Sequence, residues 1–309
     1  MTTPQTGLFA LGTTSHAYLE FDAKDEQARP ALVATVGGLR EPRTTMGGIN
    51  LVAGFRPELW AAVAPHDAPP IEGFNREVVG PDGYIMPATQ HDGVLWLSGS
   101  AYDVVFDLAR SAITELAPIA SVAEETSSWP YHHDLDLTGF IDGTKNPTLM
   151  DASDVVVIPE GTPGAGGTIL LLQKWHHDAV AWESLPVERQ EHVIGRRKAD
   201  SAELEPLPSD SHVGRTDQDV FGKIFRRNMA FGTVTDHGTM FVGFSADQRR
   251  LSAMLESMAG ITNGMRDALT YFTKPLTGAY YFIPSTDALR PYATSPLPPS
   301  QAGPPATSE

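Results

Sequence analysis

The sequence predicts an α+β protein built from a duplicated unit, each copy an antiparallel sheet covered on one face by helices. Three observations carry this expectation. A length of 309 residues exceeds the roughly 100 to 200 residues typical of one compact domain. Two stretches, one in each half, share a strand-then-helix pattern. A Gly-Gly pair also opens an apolar run in each half.

Residues 92–116, DGVLWLSGSAYDVVFDLARSAITEL, begin with Val94 and Trp96 alternating with Leu95 and Leu97, the period of a strand. Val104, Val105, Leu108, Ala109 and Ile113 then recur at helical spacing. Residues 237–260, HGTMFVGFSADQRRLSAMLESMAG, repeat the pattern. A shift of 145 residues lays Gly93 on Gly238, Leu95 on Met240, Leu97 on Val242, Ser100 on Ser245 and Ala101 on Ala246. In both copies a small polar residue closes the strand and can cap the helix. GGINLVAGF from Gly47 and GGTILLLQKW from Gly166 add a further strand to each half. The expected division is 1–150, 151–290 and a Pro-rich tail, 291–309, loose from about Pro291.

Between the halves lies SSWPYHHDLDLTGFIDGTKNPTLMDASD, rich in turn formers such as Asp142-Gly143 and Asn146-Pro147. A long loop within a compact protein is usually kept for binding.

Composition removes several chemistries. With no cysteine there are no disulfides, iron–sulfur clusters, thiolate ligands or covalent haem attachment, so a redox metal would use His, carboxylate, Tyr or Met. A formal charge of −16 repels nucleic acid and anionic membranes and favours neutral or cationic small partners. MTTPQTGLFALG carries neither a basic leader nor a long apolar run, so cytoplasmic residence is expected.

Taken alone, GFIDGTKNP is a turn with one carboxylate, Asp142, between glycines that permit close approach of a flat ligand. His212, following Ser211, reads by spacing alone as a capping or turn histidine. His132 with His133, and His176 with His177, are adjacent pairs that diverge on a strand and lack a spaced third ligand, so no second metal site is expected. Trp60, Trp96, Trp129, Trp175 and Trp182 are expected mostly in the core, with electron relay to the surface as the alternative.

GFIDGTKNP resembles the G-x-x-D-G signature of dye-decolorising peroxidases. QTGLFALGTTSHAYLEFD, NREVVGPDGYIMPATQHDGVLWLSG, HVIGRRK, SHVGRTD, IFRRNMAFG and ALTYFTKPLTGAYYFIPS are similar, in the same order, to the bacterial cytoplasmic (B-type) branch of that family. The resemblance implies two ferredoxin-like domains and one haem b per chain, held mainly by the C-terminal domain. It places His212 as the axial ligand and Asp267 as the acceptor of its second ring N–H. Asp142 becomes the distal acid and base, Arg226 the stabiliser of the departing oxygen, and Asn228 the group that orients peroxide. Two residues apart on a strand, Arg226 and Asn228 share a face while Arg227 points away. Arg226 could equally pair with a haem propionate. Gly143, Thr144, Asn146 and Phe244 are expected at the cofactor, with Met240 and Phe241 as further wall candidates.

The implied activity is reduction of hydrogen peroxide and oxidation of dyes, phenolics or other one-electron donors through a ferryl species. A haem-binding or haem-iron handling role without strong turnover is the alternative. A chlorite dismutase-like reading is disfavoured by GFIDGTKNP with FRRNM. A homo-oligomer is expected. The ending PPATSE lacks the Leu, Gly and Ser rich peptide of relatives packaged in encapsulin shells, so packaging is not supported. Arg197 stands where many relatives have a smaller polar residue, and near the propionates it would strengthen haem binding or alter the access route.

Overall fold

A computed structural model describes residues 2–39 and 48–292; the expected loose tail beyond 292, and Gly47, lie outside the described residues. In chain order the strands are β1 (Ser15–Ala23), β2 (Ile49–Phe55), the short pair β3 (Val78–Val79) and β4 (Ile85–Met86), β5 (Gly93–Gly99), β6 (Ala120–Trp129), β7 (Thr168–His177), β8 (Phe225–Arg226), β9 (Met229–Gly232), β10 (His237–Ser245), β11 (Thr273–Pro275) and β12 (Ala279–Ile283).

The N-terminal half orders its strands β2-β5-β1-β6, and the C-terminal half orders them β9-β10-β7-β12, all antiparallel. Each is the ferredoxin-like order of second, third, first and fourth strand, so the fold is a duplicated α+β unit. β5 and β10, matched by the 145-residue shift, are both third strands, and each feeds a helix, Tyr102–Leu116 and Gln248–Met258. The Gly-Gly runs are not equivalent: β2 is a second strand and β7 a first. Gly-Gly before an apolar run signals a turn and a strand, but carries no information on position in a sheet.

The two sheets join edge to edge. Phe282 of β12 pairs with Phe55 of β2, and Ser128 and Trp129 of β6 pair with Phe231 and Ala230 of β9. With β7 paired to β10, the strands close into a ring. Closure buries both faces. Tyr18, Trp96, Leu170, Phe244 and Tyr281 fill the interior, while Leu19, Leu95, Leu97, Leu171 and Phe282 pack outward under the helices. This is why β5 and β12 are buried at every residue and read as near-continuous apolar runs.

The interior also holds a set of partnered polar groups. Arg227 donates to the carbonyls of Gly7 and Leu8, and its guanidinium lies 4.8 Å from the Trp96 ring. Trp96 Nε1 donates to His16 Nδ1 at 3.0 Å; burial pulls His16 down to about 4, so the ring is a neutral acceptor. No described helix is long and apolar enough to cross a membrane.

Candidate active site

A cavity opens where the outward face of β7 and β10 meets the helix Gln248–Met258. Strand parity lines it. Gln173, Trp175 and His177 alternate on β7, and Thr239 and Phe241 on β10. Leu251, Met254, Leu255 and Met258, at helical spacing, supply an apolar wall.

His212 opens a short helix, His212–Arg215, and faces this cavity. The capping is done by Ser211, whose side chain accepts from Gly214 N at 3.2 Å, which frees the imidazole. His212 Nδ1 lies 2.7 Å from Asp267 Oδ2. Asp267 is 0% exposed, and its second oxygen accepts from Leu269 N at 2.9 Å. An ionised carboxylate only accepts, so the ring donates through Nδ1 and Nε2 is the nitrogen with a lone pair for a ligand.

Asp142 sits in a turn whose next residue, Gly143, has φ 75. A Cβ there would meet Asn146 Nδ2 at 2.9 Å, so only glycine suits the position. Gly143 N donates to Asp142 Oδ1 at 2.7 Å, and Arg226 Nη2 stands 3.7 Å from the same oxygen. Asn146 fastens this loop to β8 at two points: its amide donates to Arg226 O at 2.8 Å, and its oxygen accepts from Arg226 N at 2.9 Å. Asn146 therefore holds Arg226 by its backbone. Asn228 commits Oδ1 to Val242 N at 3.0 Å, which leaves its NH₂ to serve a ligand. Asp142, Thr144, Arg226 and Asn228 all line the cavity.

A second cavity takes in Gly143 and Asn146. The two share one wall, made of Asp136, Asp142, Arg226, Asn228 and Thr239. Arg226 faces both cavities; Arg227, which reaches the second, sends its guanidinium to the ring interior.

Three expectations are corrected. Phe244 is not at the cavity but inside the ring, stacked 5.9 Å from Trp96. Met240 shares that interior, and Phe241, of opposite parity, is the aromatic residue at the cavity. Arg197 is tied to Asp200 at the surface, and its neighbour Arg196 lines the cavity instead.

Sequence reasoning also missed a buried cluster. Thr239 Oγ1 donates to Asp136 Oδ2 at 2.5 Å and accepts from His177 Nε2 at 3.1 Å. Burial pushes Asp136 up, but His177, the Thr239 hydroxyl and Thr138 together hold it below the usual carboxylate value. Burial lowers His177, against the pull of Asp136. The remaining histidines stay apart: His132 and His133 are exposed, and His176 pairs with Asp236. Among the described residues no three His, Asp or Glu side chains gather to hold a metal ion. Trp129 is 39% exposed, and the other four tryptophans are buried.

Residues 133–288 match the family model described as Dyp-type peroxidase, C-terminal. The chain is 36% identical over 253 residues to a dye-decolorizing peroxidase of Brevibacterium linens, covering 78% of this chain and 68% of the relative. It is 34% identical over 281 residues to one of Rhodococcus erythropolis, covering 87% and 82%. Its structure is similar to a dye-decolorizing peroxidase from Bacteroides thetaiotaomicron, with TM-score 0.86, 28% identity and coverage of 94% and 99%. It is also similar to a variant of DypB from Rhodococcus jostii RHA1 in complex with heme, with TM-score 0.84, 31% identity and coverage of 93% and 98%.

Proposed function

From the premise that this chain belongs to the dye-decolorising peroxidase family and is a peroxidase, we propose that its cavity takes one haem b per chain, with His212 on the iron, and that it reduces hydrogen peroxide at the expense of phenolic, dye-like or other one-electron donors. The 151–290 part would hold the cofactor, with the 139–147 loop carrying Asp142 over it.

The donor set fits such a group. His212 offers Nε2 from a ring fixed by Asp267. The cavity wall has apolar surface for a flat macrocycle. Arg196 Nε, Arg226 Nε and Gln173 Nε2 are buried donors without a partner among the described residues; carboxylates or a bound oxygen species would satisfy them. Haem, when bound, supplies the redox-active iron that delivers two electrons to peroxide.

The protein's part is to move protons and hold charge. Reducing hydrogen peroxide to two waters takes two electrons and two protons. For the O–O bond to break heterolytically, one peroxide oxygen must lose its proton and the other must gain one. Asp142, ionised at the start, accepts the first and returns it to the second; such acid and base catalysis is worth roughly 10² to 10⁴ in rate. Arg226, held by Asn146, keeps a permanent positive charge where negative charge grows on the departing oxygen. Asn228 orients peroxide through its NH₂.

The observation that carries this reading is the convergence on one cavity of the carboxylate-braced His212 and the Asp142–Arg226 pair. Storage of haem alone requires the former but not the latter. Stopped-flow absorption of the haem-reconstituted protein mixed with peroxide tests it, alongside His212→Ala. Rapid oxidation of the haem that a reducing dye reverses, with haem binding impaired in the variant, is expected; stable haem indifferent to peroxide would overturn the reading.

A further inference from the structure

Lys145, three residues after Asp142, places its ammonium between two carboxylates from separate parts of the chain. Glu203 Oε1 lies 3.1 Å away and Asp219 Oδ2 3.3 Å away. Arg196 Nη2 grips the same Glu203 oxygen at 2.6 Å, and Lys223 holds the other Asp219 oxygen at 2.7 Å. Lys145 and Arg196 line the cavity. At one end of the chain of contacts Arg196 is 11% exposed and at the other Asp219 is 61% exposed, with Glu203 and Lys145 between them at 37% and 32%, so the network sits on the rim.

Three segments meet there: the loop carrying Asp142, the 196–203 turn closed by the Arg196–Glu203 bridge, and the helix Gln218–Phe221 that follows His212. Lys145 is the cation that touches both carboxylates, so it links the Asp142 loop to the segment bearing the ligand histidine. A rigid, flat cofactor leaving by this side requires those segments to part.

We infer that Lys145 is the clasp of the cofactor cavity, bridging Glu203 and Asp219 to set how fast haem leaves; the inference rests on the haem reading above. The hydrogen bond to Glu203 raises the Lys145 amine above its ordinary value, so the clasp stays charged through the neutral range. Exposed ion pairs are weak singly, but two on one ammonium should slow release about three- to tenfold.

The test is haem transfer from the reconstituted holoprotein to excess apomyoglobin, followed by absorbance. At low salt Lys145→Met, which keeps the aliphatic stem, should release haem about three- to tenfold faster than the parent, and Lys145→Arg should restore the slow rate. At about 1 M salt, where screening acts within about 3 Å, the difference should close. Asp219→Asn, altered at an exposed side chain, should move the rate in the same direction. A low-salt rate within twofold of the parent in either Lys145→Met or Asp219→Asn overturns the clasp and leaves the haem reading standing. A parent protein that binds no haem overturns both.

Discussion

Replacing Glu20 by Gln should stabilise the protein above neutral pH. Glu20 lies on β1 with Tyr18 and faces the ring interior, 4% exposed. The Tyr281 hydroxyl donates to it, and His91, Glu124 and Lys174 are the other charged or titratable groups that act on it. Burial, the largest influence, raises the carboxyl from 4.5 to about 7, against the opposing pull of Tyr281. A folded-state value above the unfolded one means the native state binds the extra proton, so this group's contribution is fully present below about 4.5 and is lost as pH rises through about 7. At roughly 1.4 kcal/mol per unit, the loss comes to about 3 kcal/mol. A glutamine accepts from Tyr281 without ever ionising. Urea denaturation of parent and Glu20→Gln followed by tryptophan fluorescence between about pH 4 and 8.5 should give curves that nearly coincide at the acid end and diverge to about 3 kcal/mol in favour of the variant at the alkaline end. A pH-independent difference, or a variant less stable at pH 8, would refute the reasoning.

Asp142→Ala should slow oxidation of the haem by peroxide about 10²- to 10⁴-fold, and Arg226→Ala about 10²- to 10³-fold, both with haem still bound. Stopped-flow absorption reads both, and a defect confined to Arg226→Ala would show the acid and base role of Asp142 to be wrong. Asn146→Ala strips partners from the Arg226 backbone N–H and carbonyl, and should cost about 1 to 3 kcal/mol in urea denaturation as well as slowing the same step. Parent-like values in both assays would mean that Asn146 does not hold Arg226 in place.

What was legible in the sequence follows from locality. Residues 92–116 and 237–260 signal their strands and helices through their own periodicity, and the 145-residue shift correctly pairs β5 with β10. Parity separated the guanidinium of Arg226 from that of Arg227, since both stand on one short extended segment. The same argument failed at Phe244. In TMFVGF both faces of β10 are buried, so hydrophobicity does not mark which face meets the cavity and which the interior. His212 and Asp267 were found through family resemblance; 55 residues apart, no spacing rule joins them. The cluster of Asp136, Thr239 and His177 was missed for the same reason, because its three members come from the central loop, β10 and β7. Lys145 looked like any polar loop residue until the fold brought Glu203 and Asp219 to it.

The edge-to-edge seams between the halves bear on how this architecture can be divided. Duplication commonly yields modules that can be separated and recombined, but here each half supplies the missing borders of the other. A fragment spanning 151–290 would bare β9 and β12, which are closed in the whole chain by β6 and β2. It would also expose the side of its sheet that now shares Phe244, Leu170 and Tyr281 with Tyr18 and Trp96. Open edges beside an apolar face invite pairing with other chains. The two copies therefore behave as the subunits of an obligate dimer written into one polypeptide, and the cavity, lined by Asp142 and Thr144 from the first part and by β7 and β10 from the second, depends on both.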